Sequence, residues 1–356
     1  MGLPHPQPPP RGEGAKLQNR PRRSLAEKLL KGVNGPICRA YRKGRKKFMM
    51  YLLLIVGFVL LIKGADFFVD GASSVAGILK VPSVVVGLTI VSIGTSCPEA
   101  AVSISAGLSG NADISLGNVI GSNLFNLLMV IGICSIIKPV PTPKEILKRD
   151  MFWNIGCAVI MLVFMIGLTV ARLEGIILLA GIVTYIIVLV RSALKSGADD
   201  EELKILPIWL SIIYIIGGAA AIIFGGDLVV DNASLIAENF GMSKTLVGLT
   251  IVAIGTSLPE LVTSIVAARK GNSGIAIGNA VGSSIFNILF ILGIASALSP
   301  IAVDKDLLVD AAILIGVSLM TFFFAKTKEE TSRFEGAIMV VCYCAYTAFI
   351  IARNYM

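Results

Sequence analysis

The chain has 356 residues, of which 55% are hydrophobic and 15% charged, with a mean hydropathy of +0.83. A water-soluble domain carries about 25% charged residues. Apolar runs of roughly 18 residues or more, long enough to cross a hydrocarbon layer about 30 Å thick, recur from residue 50 onward. These values exclude a soluble globular protein and predict an all-α polytopic membrane protein.

The formal charge of +8 is unevenly spread. Residues 1–48 hold 13 Lys and Arg against Glu13 and Glu27, which is 13 − 2 = +11 and leaves −3 for the rest of the chain. The basic balance is therefore a property of one segment, and nucleic acid is not expected as a partner. The six cysteines (Cys38, Cys97, Cys134, Cys157, Cys342, Cys344) form no spaced metal pattern, and the single histidine, His5, lies in the basic segment. His-based catalysis and His-ligated zinc are thereby excluded from the apolar part, and no enzyme activity or cofactor is expected.

In chain order, residues 1–48 form a basic tail, rich in Pro, Gly and Arg, that is read as disordered and lacks the apolar centre of a signal peptide. Met49 and Met50 stand directly before the first apolar run, so one reading starts the natural protein there. Ten spans are predicted near 50–74, 82–107, 112–137, 151–171, 174–193, 208–236, 243–268, 273–299, 307–325 and 335–353. The segment 194–207 carries Asp199, Asp200, Glu201 and Glu202 and is read as an acidic linker between two five-helix sets, 49–193 and 208–356.

The two sets are repeats. A shift of 161 residues lays Val86–Glu99 (VGLTIVSIGTSCPE) on Val247–Glu260 (VGLTIVAIGTSLPE), with differences only at Ser92/Ala253 and Cys97/Leu258. The same shift lays Gly117–Asn126 (GNVIGSNLFN) on Gly278–Asn287 (GNAVGSSIFN), and Asp66 and Asp70 on Asp227 and Asp231. A unit with an odd number of crossings enters the membrane from opposite sides in its two copies, so the repeats are predicted to be inverted, with substrate at the midplane between them. Lys and Arg of the loops concentrate on the side of the linker, which places the central loop in the cytoplasm and both termini outside; the basic tail argues the other way.

Each repeat carries Gly-Thr-Ser-x-Pro-Glu in the middle of an apolar run. Pro98 and Pro259 lack an N–H and clash with the carbonyl four residues earlier, which frees the carbonyls of Gly94 and Gly255 and predicts broken helices at the midplane. Such groups are tolerated in a membrane only where they face protein or a wet cavity. Ser92, Thr95, Ser96 and Glu99 fall on one helix stripe, repeated by Thr256, Ser257 and Glu260. On the following helix Asn118, Ser122 and Asn126 form a second stripe, matched by Asn279, Ser283 and Asn287. Freed carbonyls, hydroxyls, amides and two carboxylates make an all-oxygen cation site. Oxygen ligands suit hard cations such as Ca2+, and also Na+, whereas transition metals call for His or Cys.

The duplicated GTSCPE and GTSLPE, each followed by GNxxGSxxFN, resemble the two alpha-repeats of the Ca2+/cation antiporter superfamily, in particular its bacterial and archaeal sodium/calcium exchanger branch. The resemblance covers essentially all of 50–356. It implies a ten-helix inverted-repeat fold, alternating access, and exchange of Ca2+ for Na+ across a cell membrane, with the transported ions and the bilayer as partners and no obligate protein partner. It implies ligands at Thr95, Ser96, Glu99, Ser122 and Asn126 and at Thr256, Ser257, Glu260, Ser283 and Asn287, with backbone carbonyls of Ser92 and Ala253. Several exchangers of the family have Asp where this chain has Asn287. The site thus holds two carboxylates where theirs hold three, and neither K+ co-transport nor stoichiometry follows from the resemblance.

Simpler roles compete at some positions. Ser and Thr often bond within or across membrane helices, and Asn118 and Asn279 equally suit hydrogen bonds to the broken backbone. Asp66, Asp70, Asp227 and Asp231 fit solvated helix ends or attraction of cations to an entrance. Lys63, which has Phe224 as its repeat counterpart, is expected to pair with a nearby acid or snorkel. A proton/Ca2+ antiporter using the same glutamates is the alternative function. A channel would more usually ring its pore with symmetry-related subunits.

Overall fold

The computed structural model describes residues 36–108, 112–196, 205–241 and 253–355. The tail before Pro36, the acidic residues of the linker and the motif residues 247–252 lie outside these. The chain divides into two units, Met1–Met49 and Met50–Met356, and the architecture below is that of the second.

The described chain is helical throughout apart from short connections. Helix α1 (Pro36–Leu79) begins well before the predicted span; residues 36–48 hold three Arg and three Lys, both good helix formers. It is followed by α2 (Ser83–Thr95) and α3 (Cys97–Leu108). Helix α4 starts at Ala112–Phe125 and continues through a π-helical turn, Asn126–Val130, into Ile131–Ile137. Helix α5 joins a π-turn, Ile146–Asp150, to Met151–Met165, and α6 is Arg172–Ser196. In the second half α7 (Ile208–Asn239) precedes a three-residue turn, Ala253–Gly255, and α8 (Leu258–Arg269). Helix α9 is Ser273–Phe286 extended by a π-turn, Asn287–Leu292, and Gly293–Leu298. Helices α10 (Lys305–Thr327) and α11 (Arg333–Tyr355) complete the chain.

Among the described residues, seven helices are long and apolar enough to cross a membrane, or eight if α2 and α3, bent by 49° at their junction, form one broken span. The protein is an integral membrane protein. Burial ranks the spans: 72% of the apolar window of α4 and 78% of that of α9 are buried, against 11–33% for the other five. Helices α4 and α9 therefore form the centre, and helices such as α7 and α11 turn Ile213, Ile216 and Val341 outward, as lipid-facing surfaces require.

The 161-residue relation reappears in space. Strands β1 (Val140–Pro141) and β4 (Glu330–Thr331) pair antiparallel, as do β2 (Thr169–Val170) and β3 (Ile301–Ala302). The register Val140↔Thr331 becomes Ile301↔Val170 under the shift, so one contact is made twice. Helix ends repeat as well: Lys80 (φ 53°) and Gly241 (φ 93°), and Leu168 (φ 56°) and Glu329 (φ 55°), are left-handed at equivalent positions.

Helices α1 and α7 cross through glycines. A Cβ on Gly64 would stand 2.9 Å from Gly218 O and Ile222 N, and one on Gly218 would stand 2.7 Å from Gly64 O and Phe68 N. The obstruction is backbone, so the helices themselves would have to separate. Gly217, one residue away, has nothing within 4 Å of such an atom. Gly64→Ala is expected to destabilise the protein by about 1–3 kcal/mol, read as a lower melting temperature in detergent, with Gly217→Ala close to wild type. Equal melting temperatures for the two variants would exclude this crossing.

Candidate functional site

The site starts at two helix breaks. Pro98 cannot continue the hydrogen-bond ladder of α2. Ser96 (φ −83°, ψ 7°) leaves helical geometry, and α3 restarts at Cys97 with Glu99 in its first turn. The second repeat does the same: Ser257 (φ −95°, ψ 7°) precedes α8, Pro259 sits at its start and Glu260 in its first turn. Both carboxylates thus occupy the positive end of a half-helix, where negative charge is favoured.

Both are buried to solvent, Glu99 at 1% and Glu260 at 0% exposure. Each is held by the opposite repeat. Ser257 Oγ donates to Glu99 Oε1 at 3.0 Å, and Ser96 Oγ donates to Glu260 Oε1 at 2.8 Å. Ser283 Oγ lies 3.5 Å from both Glu260 Oε1 and the carbonyl of Ser92. Ala253 opens the turn Ala253–Gly255, one turn before Ser257.

Asn118 and Asn279 bond the broken backbone. Asn279 Nδ2 donates to Glu260 O at 3.2 Å and Ser264 Oγ at 3.0 Å; Asn118 Nδ2 donates to Glu99 O at 3.4 Å and Ser103 Oγ at 3.0 Å. Asn279 Oδ1 also takes a contact from Thr95 Oγ1 at 3.0 Å. Thr95 hydroxyl is further shared with its own helix, 3.1 Å from Val91 O. Its counterpart Thr256 Oγ1 is buried with no partner among the described residues.

Six buried oxygens of the predicted site residues share that condition: Glu99 Oε2, Ser122 Oγ and Asn126 Oδ1 from the first repeat, and Thr256 Oγ1, Glu260 Oε2 and Asn287 Oδ1 from the second. Buried polar atoms are bonded in the great majority of cases. Hydroxyls of Ser115, Ser135, Thr142, Ser234, Thr263, Thr321 and Thr331 are unpartnered as well; the six differ in lying on motif residues of both repeats and in including two carboxylate oxygens. Asn126 and Asn287 each open a π-helical turn, a distortion common at functional sites.

The rim acids have unequal surroundings. Lys270 Nζ, just after α8, donates to Asp70 Oδ1 at 2.7 Å and Asp66 O at 2.9 Å, and lies 3.5 Å from Asp66 Oδ1. Lys63 lies 3.5 Å from Asp66 Oδ2, the acid partner expected of it. Asp227 and Asp231 instead line a cavity of about 440 Å³ that also reaches Cys97, Pro98, Thr256 and Pro259. The Lys270 contact was not legible in the sequence, since it joins residues 200 apart. The sequence marks Asn123 by the departure of GSNLFN from GSSIFN.

Comparison with known proteins identifies the family. The sodium/calcium exchanger protein family matches residues 49–192 and again 210–352. The chain belongs to that family. It is 36% identical over 308 residues to CaxA of Alkalimonas amylolytica, covering 83% of this chain and 96% of that one. It is 33% identical over 338 residues to the sodium/calcium exchanger MaX1 of Methanosarcina acetivorans, covering 83% and 97%. Among solved structures, one of the sodium-calcium exchanger NCX_Mj superposes with a TM-score of 0.75 at 30% identity, covering 84% of this chain and 98% of that one.

The unequal bonding of the two helix-break asparagines has a measurable consequence. Asn279→Ala removes contacts to Glu260 O, Ser264 and Thr95, and Asn118→Ala only those to Glu99 O and Ser103. With about 1 kcal/mol per bond and more for a stranded buried partner, Asn279→Ala is expected to lower the melting temperature further than Asn118→Ala. The reverse order would contradict the bonding described.

Proposed function

We propose that the protein is a secondary active antiporter that exchanges Ca2+ for Na+ by alternating access around a midplane site of oxygen ligands. The observation that carries this reading is the set of six unpartnered buried oxygens, two of them on carboxylates. Ca2+ takes 6–8 oxygens in irregular geometry, and two carboxylates supply the −2 that balances it. Further ligands are the hydroxyls of Thr95, Ser96, Ser257 and Ser283 and the carbonyls of Ser92 and Ala253. The same neutral oxygens suit Na+, so ions compete for overlapping positions. Exchange follows if the empty protein changes sides reluctantly. Membership of the sodium/calcium exchanger family, and the likeness to MaX1 and NCX_Mj, support the choice of ions.

The fold under this reading has ten crossings in two inverted five-helix repeats. The fourth crossing is α5, whose π-turn of five residues runs directly into fifteen residues of α-helix. The seventh is the segment ending in α8. The twice-made strand pairing supports a two-fold relation between the halves. The protein sits in the cell membrane with its central loop in the cytoplasm and its termini outside, as the loop charges favour.

The test is 45Ca uptake into proteoliposomes loaded with Na+, with K+, or with a proton gradient alone. Uptake is expected only with internal Na+. Glu99→Gln and Glu260→Gln are each expected to lower it by about two orders of magnitude or more, since a unit charge 4 Å from another is worth about 4 kcal/mol at an effective dielectric of about 20. Uptake driven by the proton gradient alone would replace this reading with the proton/Ca2+ antiporter. Uptake indifferent to every counter-ion would remove antiport altogether.

A further inference from the structure

Three asparagines on the two central helices have 0% exposure: Asn123 on α4, Asn126 at its π-turn and Asn287 at the π-turn of α9. Their amides are bonded very differently. Asn123 Nδ2 donates to the backbone carbonyl of Ser284 at 3.1 Å, and Asn123 Oδ1 accepts from Asn287 Nδ2 at 3.2 Å. Among the described residues Asn287 Oδ1 has no partner, and Asn126 has none for either its Nδ2 or its Oδ1.

The direction of this relay is fixed by chemistry. A backbone carbonyl only accepts, so the Asn123 group facing Ser284 O has to be the NH2. That turns Asn123 Oδ1 toward Asn287, and the Asn287 group facing it also has to be the NH2. Asn287 is then left with its oxygen free. It stands one helical turn beyond Ser283, whose hydroxyl approaches Glu260, and residues four apart share a helix face.

We propose that Asn123 is a positioning residue: through the relay from Ser284 O it locks the Asn287 amide with its oxygen, not its NH2, directed to the transported cation. This rests on the ligand role given to Asn287 above. An unlocked amide presents donor hydrogens to the cation part of the time, and the apparent affinity falls with the fraction held correctly. The relay exists in one repeat only, because the shift by 161 residues puts Ser284 where the first repeat has Asn123. The two site asparagines are therefore unequal: Asn287 is held as an acceptor, while Asn126 has a free amide that a cation itself must orient.

The experiment is a set of double-mutant cycles on the detergent-solubilised full chain. It measures binding of Ca2+ alone, and of Na+ by competition, with melting temperature as the check on folding. Asn123→Ala is expected to weaken binding of Ca2+, Na+ or both by about threefold to tenfold, the worth of one hydrogen bond. The effect should disappear in an Asn287→Ala background and persist in full in an Asn126→Ala background. A packing role for Asn123 would lower the melting temperature alike in every background and would leave no such pattern in affinity. Asn123→Ser, the residue of the second repeat, replaces the alanine variant if that one does not fold. An unchanged affinity for both ions in Asn123→Ala, or a loss that persists beside Asn287→Ala, overturns the relay while leaving the site intact. Unchanged affinity in Asn287→Ala alone removes Asn287 from the site, and the relay falls with it.

Discussion

The structure depends on holding two carboxylates out of water without a basic side chain beside either. Among the described residues the ion pairs formed by Lys63, Lys144, Arg149, Lys270 and Arg353 all involve other acids. Burying an uncompensated charge costs several kcal/mol even after relaxation. The protein offsets part of this with one serine hydroxyl on each carboxylate and with the positive ends of two half-helices. Both are partial charges. Under the proposed function the remainder is met by transported cations, or by a proton on a carboxylate in the alternative reading, and for a carrier that shortfall is useful, because a site fully neutralised from within would have little reason to hold an ion.

The duplication supplies the frame for this balance at low informational cost. In a two-fold arrangement every contact between the halves is made twice. The crossings Gly57 against Gly225 and Gly64 against Gly218 are one contact and its image, as are Gly132 against Gly336 and Gly175 against Gly293. Serine bonding follows the same rule, with Ser96 serving Glu260 and Ser257 serving Glu99. Each carboxylate is fixed by a side chain from the other repeat, so the geometry of the pair is set by the packing of the halves. A displacement of one half changes both carboxylates together.

Much of this was legible because symmetry is visible in one dimension. The motif GTSxPE places a helix break and an acid at a fixed offset, and proline, glycine and glutamate act there through local chemistry. The stripes through Thr95 and Glu99, and through Ser122 and Asn126, follow from helix periodicity alone. What periodicity could not supply was the choice among partners on a stripe. Asn118 and Asn279 stand at the same spacing as Ser122 and Ser283, yet their amides go to carbonyls of the broken helix. The clusters Arg149–Asp150–Tyr185 and Arg353–Asp310 had no signature either. Arg149 lies beside Asp150 in sequence, but Tyr185 reaches Asp150 across 35 residues, and Arg353 reaches Asp310 across 43. The π-turns at Asn126 and Asn287 shift the helix register by a fraction of a turn, which no residue pattern encodes.

The departures from symmetry carry as much physics as the symmetry. Asp66 and Asp70 correspond to Asp227 and Asp231, and four equal acids would give the two ends of the site equal electrostatics. Lys270 breaks the equality, because the first repeat has Ser109 at that position. Its ammonium bonds α1 to the end of α8 through both Asp66 and Asp70, and the neighbouring Asn272 adds a bond to Ser73 at 2.8 Å. With no lysine at the equivalent position, Asp227 and Asp231 are exposed on the wall of a cavity that reaches Thr256. The same acid pair is thus a structural tether in one copy and a negatively charged lining in the other. One side chain decides which, by whether it brings a positive charge within 3 Å.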